Sequence, residues 1–284
     1  MNPNQNPQTD IMSAPLKINL TEIIRQRLGN RSKWLPPFLF RPLEHLIRQD
    51  RLNQLLEAAW PEEGSGFSAR ILAELGITVK VEGLSQLPQG EAFEFVSNHP
   101  LGGLDGIALV GVLGAHYGDE NIRVLVNDML MNVAPLKDVF LPVNKYGSQG
   151  RDSARQIAAA FEAGKQILMF PAGLVSRLHP DGVVRDLEWQ KSCVVKALEY
   201  GRRVVPVHFM GLNTPRFYRL ARLRKRLGIK VNLEQAMLPA ELCRAQGARY
   251  EIRFGAPVDV GAMRALGESP AAIAAALRAT VYEL

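Results

Sequence analysis

The sequence predicts an α/β protein with a mixed, mostly parallel sheet flanked by helices and preceded by an N-terminal helical arm. From residue 77 onward, short apolar runs of strand length alternate with longer segments of helical periodicity. Several of these runs end in glycine or polar residues, as strands do where the chain turns towards the next helix. Such an alternation is typical of layered α/β folds, whose sites lie at the ends of strands.

The predicted elements follow one another closely along the chain. Strands are predicted at 77–82, 92–97, 122–126, 140–143, 166–170, 203–208 and 250–254. Helices are predicted at 67–76, 105–116, 152–163, 188–200 and 215–227, followed by two short Ala-rich helices. Gly164 and Gly201 stand where two of these helices end, because glycine is favoured just beyond a helix C-terminus.

The N-terminal residues divide into two segments. Residues 1–15 are rich in Asn, Gln and Pro, which predicts a disordered tail. Residues 16–66 are predicted to be helical, and residues 67–284 form the main domain. The aromatic residues and cations of the helical region suit two interpretations: helices packed on the main domain, or an anchor lying in a membrane interface. Amphipathicity alone does not distinguish them.

Composition and charge narrow the classes of partner. The chain has 284 residues, of which 47% are hydrophobic and 22% charged, as in an ordinary globular protein. Its formal charge of +6 favours anionic partners such as phospholipid head groups, nucleic acid or acidic substrates. The two cysteines have no metal-ligand spacing, so no metal site is expected. No run of about twenty apolar residues occurs, so contact with a membrane would be peripheral.

The segment 95–106 carries the most informative pair of residues. An apolar run ends at Asn98 and His99, and Asp105 follows across the turn at Gly102 and Gly103. A histidine held by a carboxylate is a general base with its orienting acid. The same residues also suit an aspartate at a helix N-terminus and a partly buried histidine with no catalytic role. The spacing alone is compatible with both interpretations.

Three further blocks repeat this pattern of an apolar strand followed by polar or glycine residues. Segment 140–147 places Lys145 at a strand end. Segment 167–177 places a turn with Pro171 and Gly173 ahead of Ser176 and Arg177. Segment 204–208 is an apolar strand interrupted by a proline.

In their order and spacing, over roughly residues 77–211, the four blocks resemble the glycerolipid acyltransferase family, which includes lysophosphatidic acid acyltransferase. Two departures stand out. Five residues separate His99 from Asp105, one more than is usual in the family, and glycine can absorb the extra residue. In the third block Ala172 and Val175 replace the family's glutamate and arginine. This variant is similar to a branch that includes bacterial aminolipid O-acyltransferases.

The resemblance implies a glycerol-3-phosphate acyltransferase-like fold and a set of site residues. His99 is then the general base and Asp105 its orienting acid. The substrate-binding residues implied are Asn98, Lys145, Pro171, Gly173, Ser176 and Arg177. Within this set, the cations are expected to bind a phosphate or carboxylate of the acceptor, and the turn after the proline is expected to offer backbone N–H groups to an oxyanion.

The implied activity is transfer of a fatty acyl group from a thioester to the hydroxyl of a lysophosphatidate-type lysolipid. Acyl-CoA or acyl carrier protein is the expected co-substrate and partner, with no other cofactor and no metal. The expected location is peripheral, at the cytoplasmic face of the membrane. Alternatives are O-acylation of a lyso-aminolipid of the glycine or ornithine type, and a non-catalytic lipid-binding protein.

A strongly basic helix is predicted at 215–227. It suits a solvated helix, or a helix lying on an anionic lipid surface, where each cation contributes about 1 kcal/mol. Nucleic-acid binding ranks last, because no recognised nucleic-acid-binding fold surrounds the helix. No nucleic-acid partner is therefore expected.

Overall fold

The computed structural model describes residues 14–28, 40–143, 147–229 and 232–284. The helices in these ranges are α1 (Leu20–Leu28), α2 (Phe40–Leu46), α3 (Gln49–Ala59), α4 (Gly64–Glu74), α5 (Gly103–Tyr117), α6 (Gly147–Glu162), α7 (Ser192–Tyr200), α8 (Pro215–Arg226), α9 (Leu238–Arg244), α10 (Val260–Ala265) and α11 (Pro270–Glu283). The strands are β1 (Thr78–Glu82), β2 (Phe93–Ser97), β3 (Ile122–Val126), β4 (Phe140–Pro142), β5 (Gln166–Met169), β6 (Arg177–Leu178), β7 (Val184–Arg185), β8 (Arg203–Met210) and β9 (Arg249–Phe254).

Seven of the strands form one sheet in the order β1-β9-β8-β2-β5-β3-β4. Neighbours pair in parallel throughout, except that β8 and β9 are antiparallel. The strands β4, β3, β5, β2 and β8 thus run in one direction, and β9 and β1 run in the other. β6 and β7 pair as a separate antiparallel hairpin. The predicted fold, a mixed and mostly parallel sheet flanked by helices, is confirmed.

The centre of the sheet is apolar because helices cover both of its faces. Every residue of β2 and of β5 is buried, as parallel strands covered on both sides require. On one face, Phe95 of β2 packs in a core with Phe67 of α4 and Leu109 of α5. On the other face, Val96 of β2 packs in a core with residues of α7 and α11. The loop that follows β2 is therefore built on a rigid, dry support.

Several boundaries differ from the sequence prediction. Helix α7 begins at Ser192 and not at 188, because the residues before it form a loop in which the Trp189 side chain is buried. The β6–β7 hairpin was not predicted, since two-residue strands leave no periodic pattern. The short helix α9 was not predicted either. Residue 66, after which the sequence predicts the main domain, lies within α4, and α3 contributes Leu55 to the same core as the sheet. The division of the chain into these regions stays a prediction.

The N-terminal arm packs on α3 in the part that the structure describes. The backbone of Ile18 exchanges two hydrogen bonds with the Asn53 side chain, at 2.7 and 3.0 Å. Ile23, Leu43 and Leu46 remain exposed on the arm. The aromatic segment 34–39 and the tail at 1–13 lie outside the described residues. The interfacial anchor therefore stays a prediction. Across the described ranges, no helix is long and apolar enough to cross a membrane.

Gly102, immediately before α5, takes a conformation that favours glycine. Its φ is +79° and its ψ is −115°. A Cβ built there would lie 3.0 Å from Leu238 Cδ1 and 3.2 Å from Val175 Cγ2. The turn that carries the chain from His99 to Asp105 thus depends on the absence of a side chain at this position.

Gly102→Ala is expected to lower the free energy of unfolding by about 1–3 kcal/mol, because it combines backbone strain with a close contact. Urea denaturation measures the loss. Gly90→Ala is the matched control, since Gly90 has a φ of +78° and no atom lies within 4 Å of where a Cβ would stand. A loss no larger than that of the control would show that packing against Leu238 adds nothing.

Candidate active site

Residues 98–102 connect β2 to α5 and are called the histidine loop below. This loop begins at a fixed point where β2 meets β8. The Asn98 side chain is buried, and its Oδ1 accepts a hydrogen bond from the Phe209 N–H at 2.7 Å. Its Nδ2 donates to the Phe209 carbonyl at 3.0 Å. Asn98 therefore ties the end of β2 to its neighbouring strand. Its predicted contact with substrate stays a prediction.

The two residues predicted to form the catalytic pair lie together. His99 Nδ1 is 3.1 Å from Asp105 Oδ1, and the Asp105 side chain is fully buried while that of His99 is 19% exposed. The N–H direction at Nδ1 lies off the line to the carboxylate, so that no well-aligned hydrogen bond forms. Catalytic hydrogen bonds are often misaligned without substrate and tighten when it binds. The arrangement leaves the other ring nitrogen, Nε2, to accept a proton.

The Asp105 carboxylate also holds the turn that brings it to the histidine. Its Oδ2 accepts hydrogen bonds from the N–H groups of Leu101 at 2.8 Å and Gly102 at 3.2 Å. Its Oδ1 accepts one from the Gly106 N–H at 2.8 Å. Asp105 lies in the first turn of α5, where the helix dipole stabilises an anion. The two interpretations of Asp105, helix cap and histidine partner, both hold.

Opposing effects act on the pKa of His99. Burial lowers it, whereas the charge and hydrogen-bonding capacity of Asp105 raise it, as does the charge of Asp186. Arg177 lowers it further, but the net result is a pKa above the ordinary value for histidine. The imidazole is therefore a stronger base than a free histidine and must first be deprotonated to act as one.

The third block lies beside the imidazole because β5 pairs with β2. The rings of Phe170 and His99 have centroids 4.3 Å apart, at an angle of 35°. The Gly173 N–H donates to the Phe170 carbonyl at 3.0 Å, and the Gln190 N–H donates to the Pro171 carbonyl at 3.0 Å. Because the Gly173 N–H closes the turn, the oxyanion role predicted for this turn falls to its other N–H groups. That role stays a prediction.

Ser176 is bound to the histidine loop. Its N–H donates to the His99 carbonyl at 2.8 Å, and its Oγ donates to Asp186 Oδ1 at 2.6 Å. The side chain is buried, and the hydroxyl has a carboxylate partner but no histidine partner. Ser176 thus lacks the base that would make it a nucleophile.

The guanidinium of Arg177 is paired within the protein. It donates to Glu234 Oε1 at 3.0 Å and to the Val175 carbonyl at 2.7 Å. Glu234 is fully buried and also accepts from Arg224 Nε at 2.8 Å. The sequence could not show this pairing, and it gives Arg177 a structural role beside the anion-binding role predicted for it. Lys145, the other predicted cation, lies outside the described residues.

Asp186 is the residue that sequence reasoning missed. The charged run at 185–191 suits a loop before a helix, which is where Asp186 lies. However, its side chain is fully buried and accepts from the His99 N–H at 3.1 Å and from Trp189 Nε1 at 2.8 Å. A tryptophan three residues further on is the hint that the sequence offers, since an indole N–H needs an acceptor when buried.

A cavity of about 220 Å³ adjoins the histidine loop on the side of α11. Its lining includes the polar side chains of Asn98, Ser176, His208 and Tyr282. Burial and the charge of Arg253 lower the pKa of His208, so this second imidazole is neutral at ordinary pH. The lining also includes Leu212, which is 65% exposed. The cavity thus combines polar and apolar side chains.

Known proteins resemble this chain over most of its length. Residues 23–282 match the family model described as Acyltransferase. The chain is 41% identical over 241 residues to a lyso-glycine lipid O-acyltransferase of Phocaeicola vulgatus, covering 85% of this chain and 86% of that protein. It is 40% identical over 241 residues to the protein of the same name from Bacteroides thetaiotaomicron, covering 85% and 88%.

Among solved structures, the chain is similar to the 1-acyl-sn-glycerophosphate (LPA) acyltransferase PlsC from Thermotoga maritima. The TM-score is 0.45 and the identity 15%, over 87% of this chain and 91% of that chain. The family match and the two relatives confirm the predicted family and the predicted enzyme class. This chain belongs to the acyltransferase family.

Proposed function

We propose that this acyltransferase esterifies the hydroxyl group of a lyso-aminolipid of the glycine-lipid type, with an acyl thioester as donor. The observation that carries the chemistry is the buried Asp105 carboxylate 3.1 Å from His99 Nδ1. Two observations favour the aminolipid over lysophosphatidate. Both relatives are named lyso-glycine lipid O-acyltransferases, and Arg177, the described cation nearest in sequence to the third block's turn, is paired with Glu234.

In the proposed mechanism, His99 Nε2 takes the proton of the acceptor hydroxyl as that oxygen attacks the thioester carbonyl. Asp105 holds the ring and stabilises the imidazolium. The tetrahedral intermediate collapses by breaking the carbon–sulfur bond, which gives the ester and a thiolate. The thiolate takes the proton back from His99, so the enzyme returns to its starting state. No serine or cysteine acyl-enzyme is required, because the donor is already activated.

The acyl donor is acyl-CoA or acyl carrier protein, and neither needs a further cofactor. Both are anionic, which suits the formal charge of +6 on the chain. Lysophosphatidate is the competing acceptor. A non-catalytic lipid-binding role is disfavoured, since the histidine and the aspartate are both present and in contact.

We place the enzyme peripherally at the cytoplasmic face of a membrane, with α8 on the lipid surface. Arg219, Leu223 and Arg226 lie on one side of this helix and are exposed. Its opposite side buries Phe217 and Tyr218 against the protein. Apolar residues with flanking cations are what an interfacial helix presents to anionic lipid.

His99→Ala is expected to lower acyl transfer by about a hundred- to ten-thousandfold, because it removes the general base. Transfer from labelled acyl-CoA and acyl carrier protein to a lyso-glycine lipid measures the loss. His116→Ala is the matched control, since His116 lies at the far end of α5. Equal rates in wild type and His99→Ala, with both folded, would disprove the mechanism.

The acceptor is tested in the same assay by offering lysophosphatidate beside the lyso-glycine lipid. We expect the larger kcat/KM with the lyso-glycine lipid. A preference for lysophosphatidate would overturn the acceptor proposal while leaving the histidine mechanism intact.

Asp105→Asn is expected to shift the pH dependence of acyl transfer. The charge of Asp105 helps to raise the pKa of His99, and the imidazole must be neutral to accept a proton. The limb of kcat/KM that rises with pH should therefore move to lower pH, and the plateau should fall at least about tenfold. Asp138→Asn, at an exposed position, is the control. An unshifted limb would contradict the assignment of His99 as the base.

Other titratable or charged groups around the histidine loop remain in this variant: Arg177, Asp186, His208, Arg278 and Tyr282.

The raised pKa of His99 also makes the stability of the fold depend on pH. Because the folded state raises the pKa of His99, protonation of His99 stabilises the fold at pH values below the pKa of an unfolded histidine. That contribution is lost as the pH rises through the pKa of His99 in the folded protein.

Reversing two charges on α8 should weaken binding to anionic vesicles. In Arg219→Glu/Arg226→Glu, two attractions become repulsions, so we expect at least a tenfold loss of binding to phosphatidylglycerol vesicles, at about 1 kcal/mol for each cation. Sedimentation with the vesicles measures it. The control Arg155→Glu/Arg264→Glu changes the net charge equally at exposed sites on α6 and α10. Equal losses in the two double variants would refute a specific α8 surface.

A further inference from the structure

Asp186 joins the two strand-end blocks that form the site. Its Oδ1 accepts both the His99 N–H, at 3.1 Å, and the Ser176 hydroxyl, at 2.6 Å. Its Oδ2 accepts Trp189 Nε1 at 2.8 Å. A carboxylate without solvent exposure is retained only where donors replace its water, and three donors do so here. The charge is therefore used to hold groups in place and is not available to bulk solvent.

The backbone of Asp186 is held in turn by the C-terminal helix α11. Its N–H donates to the Tyr282 hydroxyl at 2.7 Å, and its carbonyl accepts a hydrogen bond from the Arg278 guanidinium. That guanidinium lies over the Tyr282 ring, 5.9 Å from its centroid. Both backbone hydrogen-bonding groups of Asp186 thus have partners on one helix, which fixes the position of the carboxylate.

His99 is consequently held from both faces of the sheet. Asp105, on α5, faces the imidazole Nδ1. Asp186, supported by α11 on the opposite face, binds the main-chain N–H of the same residue, while the Ser176 N–H binds its carbonyl. Asp105 and Asp186 are fixed by different helices. The His99 imidazole therefore lies close to Asp105 only if Asp186 holds the His99 main chain in the right place.

We propose that Asp186 is a positioning residue for acyl transfer, fixing the His99 main chain and the Ser176 hydroxyl relative to Asp105, with α11 as its support. The proposal rests on the proposed function of His99 as general base. Asp186 itself does not touch the reacting atoms. Its distance from the motif in sequence, 87 residues from His99, is why the four strand-end blocks do not include it.

The test replaces the charge without leaving two donors face to face. Asp186→Asn keeps an acceptor for the His99 N–H but turns an amide NH2 towards the indole N–H of Trp189. The double variant Asp186→Asn/Trp189→Phe removes that conflict and is the one to measure. Asp181→Asn is the matched control, since Asp181 lies in the same hairpin region and pairs with Arg185 at the surface.

Two readouts separate positioning from a general loss of structure. We expect kcat to fall about tenfold to a hundredfold in the folded double variant, with KM little changed, because a neutral amide oxygen holds the His99 N–H and the Ser176 hydroxyl less strongly than a carboxylate does and so lets the catalytic group shift. We also expect NMR titration of the His99 ring to show a lower pKa, because a neighbouring negative charge has been removed. Asp181→Asn should change neither quantity. Tyr282→Phe should lower kcat by a smaller factor.

The proposal is overturned if the folded double variant keeps wild-type kcat, or if its activity falls only in proportion to the unfolded fraction while the His99 titration is unchanged. The titration needs no turnover. If His99→Ala proved fully active, the general-base function would fail, but a shifted His99 pKa in the double variant would still show that Asp186 acts on this residue.

Discussion

The parallel pairing of β2 with β5 on one side and β8 on the other is the constraint on which the rest of the site depends. It brings three strand ends to one edge of the sheet, although they are far apart in sequence. Each strand end then supplies one contact to the histidine loop. The Phe170 ring after β5 packs against the imidazole, and the main chain of Phe209 in β8 binds the Asn98 amide. Without this register, the loop after β2 would have no fixed position.

The sequence was sufficient for the parts of the structure that short-range patterns encode. Strand and helix alternation predicted the sheet, and the close spacing of His99 and Asp105 predicted their contact, because a glycine turn can close so short a segment. The contacts of Asp186 with His99 and of Glu234 with Arg177 were beyond prediction. They join residues 87 and 57 positions apart, and a local pattern carries no information on which distant carboxylate reaches a given donor.

The two replacements in the third block have a physical counterpart in the structure. Ala172 and Val175 are buried in apolar clusters, where the family resemblance leads one to expect a glutamate and an arginine. The polar contacts of the block are instead made by the two residues that follow Val175, through Asp186 and Glu234. The turn at residues 171–175 thus carries no charged side chain, and the charged groups are packed behind it. Such a turn suits an acceptor whose head group differs from a phosphate.

The support that α11 gives to Asp186 has a consequence for the order in which the enzyme is made. His99 emerges from the ribosome early, but Arg278 and Tyr282, which hold the carboxylate behind it, are translated more than 170 residues later. Chains fold from the N-terminus during synthesis, and contacts between distant segments form last. His99 therefore reaches its final setting only after α11 has docked, so the surroundings of His99 stay incomplete in a nascent chain while most of the sheet can already form.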